Sequence, residues 1–156
     1  MNAARSTGNR GTILVVDDDP AVLVLIQNIL MAADYRVLLA AERAAAVRQA
    51  GQKHLHIDLA LLDVCMPGMP ATALADEILS LRPNVRVLFM SGFVDDEIIR
   101  IKLLDQCAGF LAKPFRSDGL LWAVRQAMDA PAQAGWRGAE RGDLPAAAAF
   151  GANHAG

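Results

Sequence analysis

Cysteines, aromatic side chains and long apolar runs are all scarce in this chain of 156 residues. Its two cysteines, Cys65 and Cys107, form no disulfide framework and are typical of reduced thiols inside a cell. No run of 18 apolar residues occurs, which argues against a transmembrane helix, and the polar start leads into an apolar stretch too short for a secretory signal. We therefore expect a cytoplasmic protein that does not contact a membrane.

The chain also lacks a block of one charge. Lysine and arginine number 15 against 17 aspartates and glutamates, for a formal net charge of -2. Nucleic-acid binding requires a basic face, so we expect no direct nucleic-acid partner. Hydrophobic residues make up 54% of the chain, which is enough to build the core of one domain at this length.

Apolar runs suited to strands alternate with segments suited to helices. The predicted strands are Ile13–Val16, Tyr35–Ala40, Leu59–Asp63, Val85–Met90 and Gly109–Ala112. The predicted helices are Pro20 to about Ala33, Glu42–Ala50, Ala71–Leu81, Asp95 to about Leu104, and Ser117 to about Asp129. Asp19 suits the N-cap of the first helix, Asp34 suits a left-handed residue at its end, and Ser117 suits the N-cap of the last helix.

This alternation predicts an α/β fold, a three-layer sandwich in which five helices cover both faces of a five-stranded parallel sheet. We assign the folded domain to residues 12–129. Residues 1–11 are expected to be flexible, and residues 130–156, which are rich in alanine and glycine, are expected to be a disordered tail. With no second domain expected, the output would come from binding a partner.

Polar side chains follow four of the predicted strands. Strand one ends in Asp17 and Asp18, strand three in Asp63, strand four in Ser91 and strand five in Lys113. Ligands of open parallel sheets bind beyond the carboxyl ends of the strands, so these side chains should meet at one edge.

Carboxylates gathered at one edge repel each other, by about 4 kcal/mol for a pair at ~4 Å and an effective dielectric near 20. A proton, a lysine or a hard cation must offset this repulsion. Mg²⁺ (or Mn²⁺) prefers oxygen ligands, so Asp18 and Asp63 are candidate ligands, with Asp17 near or bridged by water. An aspartate can also attack phosphorus, and Mg²⁺, Lys113 and Ser91 would then stabilise the phosphoryl oxygens.

Four separated motifs carry these residues: ILVVDDDP at 13–20, LLDVCMPG at 61–68, MSG at 90–92 and AKPF at 112–115. In order and spacing they resemble the receiver domain of two-component response regulators, over about Thr12 to Asp129. The resemblance implies a flavodoxin-like fold with strand order 2-1-3-4-5. It also implies that Asp63 is the phosphoacceptor and that the Cys65 backbone carbonyl joins Asp17, Asp18 and Asp63 in binding Mg²⁺.

The resemblance further implies a switch and its partners. Ser91 would be the switch hydroxyl, Phe110 the rotating aromatic residue, and Lys113 the lysine that contacts the phosphoryl group, followed by a cis peptide bond. The phosphoryl group would come from a histidine kinase or a histidine phosphotransfer protein. The downstream protein is unknown.

The first helix suggests a docking surface. The residues expected to face the sheet are Val22, Leu25, Ile26, Ile29 and Leu30. Those expected outside are Leu23, Val24, Gln27 and Met31. An outer helix face is normally charged, whereas this one has no charge. Our hypothesis is that it docks an α-helical phosphodonor; a larger buried area or a tolerated apolar surface is an equally open alternative.

Other functions stay open at this point. The domain could be a phosphorelay intermediate or phosphate sink with no downstream target. A different class is a phosphotransferase or phosphatase with an aspartyl nucleophile, although Cys65 stands where such an enzyme has its second acid. A flavin-binding electron carrier is a third alternative, but the acidic loop after strand one does not suit a flavin phosphate.

Overall fold

The computed structural model describes residues 10–66, 70–92 and 109–130. The strands are β1 (Thr12–Val16), β2 (Arg36–Ala40), β3 (Leu59–Asp63), β4 (Arg86–Ser91) and β5 (Gly109–Ala112). They pair in parallel in the order β2-β1-β3-β4-β5, which confirms the predicted flavodoxin-like sheet.

Four helices lie within the described ranges: α1 (Pro20–Ala32), α2 (Arg43–Ala50), α3 (Ala71–Leu81) and α4 (Ser117–Asp129). The predicted helix from Asp95 to about Leu104 lies outside the described residues. Most of residues 1–11 and 130–156, the predicted flexible segment and disordered tail, also lies outside the described residues. Arg10 and Gly11 belong to the described part, where the Arg10 N–H donates to the Asp34 carbonyl and the Gly11 carbonyl accepts from Arg36.

Two apolar cores cover the two faces of the sheet. Side chains alternate along a strand, so Ile13 and Val15 of β1 pack with α1 and α4, whereas Leu14 and Val16 pack with α2 and α3. All five residues of β1 and of β3 are buried, as expected for central strands of a parallel sheet. The direct parallel pairing of β1 with β3 places their carboxyl ends side by side.

The ends of α1 follow the predicted capping chemistry. Asp19 Oδ1 accepts a hydrogen bond from the Ala21 N–H at 2.9 Å, and Pro20 occupies the first helical position. Asp34 has a φ of 74°, the left-handed conformation expected of it. At α4 the prediction was wrong by one residue: Ser117 is the first helical residue, and Arg116 is an N-cap without a side-chain hydrogen bond.

The predicted orientation of α1 was wrong in part. The buried residues of α1 are Leu23, Ile26 and Leu30. Leu23, which we expected outside, is 6% exposed, and Leu25, which we expected against the sheet, is 48% exposed. Val24 and Met31 are exposed as predicted, and Gln27 is half-buried. Because α1 has no charged residue to mark its outer side, the sequence pattern left its rotation about the helix axis uncertain.

No helix in the described ranges is both long and apolar enough to cross a membrane.

Candidate functional site

Three carboxylates meet beyond the carboxyl ends of β1 and β3. One oxygen atom of each of Asp17, Asp18 and Asp63 lies within 4.8 Å of the others. Asp17 is fully buried and Asp63 is 4% exposed, while Asp18 is exposed to solvent. The pairing of Val16 with Leu62 in the β1–β3 ladder places the two strand ends at the same height. The predicted convergence of these three residues is therefore present.

Lys113, which follows β5, reaches across β4 and β3 to the acidic group. Its Nζ donates a hydrogen bond to Asp17 Oδ2 at 2.6 Å and lies 3.5 Å from Asp63 Oδ1. The Lys113 N–H donates to the Ser91 carbonyl at 2.8 Å, which fixes the start of this loop against β4. The Lys113–Pro114 peptide bond is cis, as the resemblance implied.

Burial and mutual charge shift the acid–base properties of this site. Burial of the Asp63 carboxyl raises its pKa, and the nearby Asp17 charge adds to the rise. The Cys65 N–H, which donates to Asp63 Oδ1 at 3.2 Å, and the Lys113 ammonium oppose the rise but do not cancel it. For Lys113, burial acts to lower the pKa, but the hydrogen bond to Asp17 and the charges of both aspartates outweigh it, so its pKa is raised. The lysine therefore stays charged beside carboxylates that it only partly neutralises.

Ser91 closes β4 next to these groups. It is 4% exposed, and its Oγ lies 3.5 Å from the Cys65 Sγ. Cys65 is exposed, and its backbone N–H is the group that contacts Asp63. The structure thus brings Ser91, Lys113, Asp63 and Cys65 to one edge of the sheet. The ligand role of the Cys65 carbonyl stays a prediction.

The response regulator receiver domain is the family whose model matches this sequence, over residues 13–125. The chain belongs to this family. It is 26% identical to the chemotaxis protein CheY of Bacillus subtilis (strain 168), over 75% of this chain and 97% of that protein. It is 29% identical to the sensor kinase CckA of Brucella abortus (strain 2308), over 83% of this chain but only 14% of the kinase.

Solved receiver domains share the fold. A crystal structure of a receiver domain from Methanospirillum hungatei JF-1 matches with a TM-score of 0.65 and 26% identity, covering 76% of this chain and 94% of that chain. The chain spans about half, or less, of the length of several other curated relatives.

Phe110, the predicted switch residue, is half-buried on β5 and packs against the core under α2 and α3. Its role in switching stays a prediction. A groove beside Lys113, lined in part by Leu25 and Phe115, was missed altogether. The apolar pair Pro114-Phe115 directly after the lysine was the available signal, but α1, on the groove's other side, lies about 90 residues earlier in the sequence.

Proposed function

We propose that this receiver domain accepts a phosphoryl group on Asp63 in the cytoplasm, from a histidine kinase or a histidine phosphotransfer protein, and that a downstream protein responds. The observation that carries the proposal is the position of Lys113 Nζ, which lies 3.5 Å from Asp63 Oδ1 and 2.6 Å from Asp17 Oδ2. A partly buried lysine that bridges two strand ends supplies the positive charge that incoming phosphoryl oxygens require.

The three carboxylates suit Mg²⁺ or Mn²⁺. They offer oxygen atoms within 4.8 Å of one another, and the exposed Asp18 leaves one side open to water and phosphate oxygens. Asp17, Asp18 and Asp63 would hold the ion, with the Cys65 carbonyl as the further ligand that the family resemblance implies. When bound, the ion supplies positive charge to the phosphoryl oxygens.

The chain's own residues carry the transfer. A carboxylate oxygen of Asp63 attacks phosphorus, and the bond from phosphorus to the donor atom breaks. Lys113 holds positive charge at the site, and Asp17 orients it through their 2.6 Å hydrogen bond. The Ser91 hydroxyl donates a hydrogen bond to a phosphoryl oxygen.

The signal follows from the added charge. A phosphoryl group brings about 1.5 to 2 negative charges to a site that is already acidic. Ser91 and Lys113 turn towards the new oxygens, and Gly92 after β4 and the segment after β5 move with them. Phe110 changes its side-chain position on β5. Phosphorylation thereby shifts the domain's population between two conformations, and the downstream protein binds the surface of the phosphorylated one.

Intact mass after incubation with acetyl phosphate tests the acceptor. We expect one Mg²⁺-dependent phosphoryl adduct in the wild type and none in Asp63→Asn. Asp58→Asn is the matched control, because it makes the same change at an aspartate that lies at the opposite edge of the sheet. An adduct of equal yield in Asp63→Asn would rule out this acceptor.

The docking surface for the phosphodonor is the exposed side of α1, with its residues revised. Val24 and Met31 are 51% and 55% exposed and belong to this surface. Leu23 is buried and does not belong to it, whereas the exposed Leu25 does. Gln27 borders the surface and is half-buried. Since no charged residue lies on α1, the surface suits the apolar face of a helix in the donor.

Charge introduced on α1 tests this surface. We expect Val24→Glu with Met31→Lys to slow phosphotransfer from the cognate histidine kinase by about tenfold or more, relative to the rate of the same variant with acetyl phosphate. Leu81→Glu with Trp122→Lys is the control, since it charges two exposed apolar residues on other helices. Equal kinase rates in the wild type and the α1 variant would remove α1 from the docking surface.

A further inference from the structure

An apolar groove lies beside the proposed phosphoryl site. It has a volume of about 340 Å³ and is lined by Val22 and Leu25 of α1, Gly92 after β4, and Lys113, Pro114 and Phe115 after β5. This volume is at the lower end of the range for small-molecule pockets. The groove is therefore large enough for a small apolar group and too small for a cofactor such as a flavin.

The lining of the groove is apolar apart from one group. Lys113 is the one charged residue among the described residues that form it. Leu25, on one wall, is 48% exposed, while Phe115 is half-buried against the core under α1 and α4. An apolar ligand would cover surface that water now contacts. Each methylene group removed from water increases the affinity roughly fourfold.

Lys113 joins the groove to the phosphoacceptor. The same side chain that lines the groove reaches Asp17 Oδ2 at 2.6 Å and Asp63 Oδ1 at 3.5 Å. A molecule whose phosphoryl group lies at Asp63 can therefore extend past Lys113 into the groove. The groove itself offers few polar partners. The occupant must therefore be polar at its phosphoryl end and apolar at the end that enters the groove.

We propose that the groove is a binding site for the acyl chain of small acyl phosphates, and that it makes donors with longer chains than acetyl phosphate better substrates. This inference rests on the proposed function of Asp63. In the transfer, a bond forms between an Asp63 carboxylate oxygen and phosphorus, and the bond between phosphorus and the acyl oxygen breaks. The electron pair leaves with the free carboxylate, so the step needs no other reactant and no proton.

Rates of adduct formation with acetyl phosphate and butyryl phosphate, in the presence of Mg²⁺, test the inference. The two leaving carboxylates have nearly the same basicity, so their phosphates have similar intrinsic reactivity. We expect the second-order rate constant for butyryl phosphate to be about 4 to 15 times larger, since its chain has two more methylene groups. Equal constants in the wild type would overturn the inference and leave the groove to the protein donor.

A matched pair of variants locates the effect. Leu25→Ser should bring the ratio of butyryl to acetyl rate constants close to one. Leu81→Ser should keep the wild-type ratio, because Leu81 has a similar exposure of 44% but lies on α3, across the sheet. An unchanged ratio in Leu25→Ser would contradict the assignment. If neither donor modifies Asp63, the proposed function fails and this inference fails with it, whereas an adduct without chain-length preference overturns the inference alone.

Discussion

The two edges of the sheet use aspartates in different ways. At the amino edge, Asp58 precedes β3, and its Oδ2 accepts the Thr12 N–H at 2.9 Å. Its other oxygen, Oδ1, lies 2.8 Å from Nε2 of His56, whose side chain is 82% exposed. Each oxygen of Asp58 thus has one partner, and solvent reaches the pair.

At the carboxyl edge the positive and negative charges are not balanced. Asp17 and Asp63 have side chains that are 1% and 4% exposed, and the Lys113 ammonium lies between them. Asp18 adds a third carboxylate to the group. Among the described residues, one cation thus faces three carboxylates, two of which are buried. A folding role alone does not require this excess of negative charge. An aspartate whose two oxygens both have hydrogen-bond partners, such as Asp58, is suited to stabilising the fold. Buried carboxylates with an excess of negative charge are suited instead to binding a cation and a phosphoryl group.

The largest expected effect comes from removing the only lysine at the carboxyl edge of the described sheet. Lys113→Met leaves Asp17 and Asp63 without their cation, so we expect a loss of about 3 kcal/mol in the free energy of unfolding. We also expect adduct formation from acetyl phosphate to slow about 100-fold. Urea unfolding and intact mass measure the two effects.

Arg43→Met is the control for this lysine. It breaks the ion pair of Arg43 with Glu77, whose atoms lie 2.9 Å apart on side chains that are 47% and 33% exposed. Such an exposed pair contributes under about 1 kcal/mol, and adduct formation should be unaffected. Equal losses of stability in both variants would contradict the contrast between the two kinds of charge.

A smaller effect of opposite sign is expected at Asp63. Burial raises the pKa of Asp63 in the folded state, so ionising this carboxyl costs folding free energy. The cost is absent below its ordinary pKa of 3.8 and develops as the pH rises through the raised value. In metal-free buffer, Asp63→Asn should therefore raise the Tm at pH 7 by about 3 °C, and by less near pH 3.5. Calorimetry at the two pH values measures this difference.

The same substitution at the amino edge sharpens the comparison. Asp58→Asn keeps an oxygen that can accept the Thr12 N–H and loses only the charge that faces the exposed His56. We expect a change in Tm of zero or slightly below zero at pH 7. Stabilisation by Asp58→Asn as large as that by Asp63→Asn would show that the two edges do not differ.

Most of the sheet could be predicted from the sequence because short apolar runs ended by polar residues have few other interpretations. Leu59–Asp63 was predicted to the residue, and its final aspartate indicated where the site lies. The convergence of Asp17, Asp63 and Lys113 followed from the rule that parallel strands end at one edge. What remained uncertain was local: Ser117 lies inside α4 and not at its cap, since hydrogen bonding and not residue type decides the first helical residue.

The rotation of α1 and the groove beside it could not be predicted. In a helix without charged residues, Leu23 and Leu25 have nearly the same preference for burial, and only packing against the sheet selects Leu23. The groove depends on that choice, because it exposes Leu25 towards Phe115. Contacts between such distant segments arise from tertiary packing and leave no local pattern in the sequence.

Calorimetric titration with Mg²⁺ tests most directly whether the carboxyl edge is an incomplete charge cluster. We expect one binding site in the wild type and in Asp58→Asn, and at least tenfold weaker binding in Asp63→Asn. The same affinity in all three proteins, or no binding in the wild type, would contradict this account of the site.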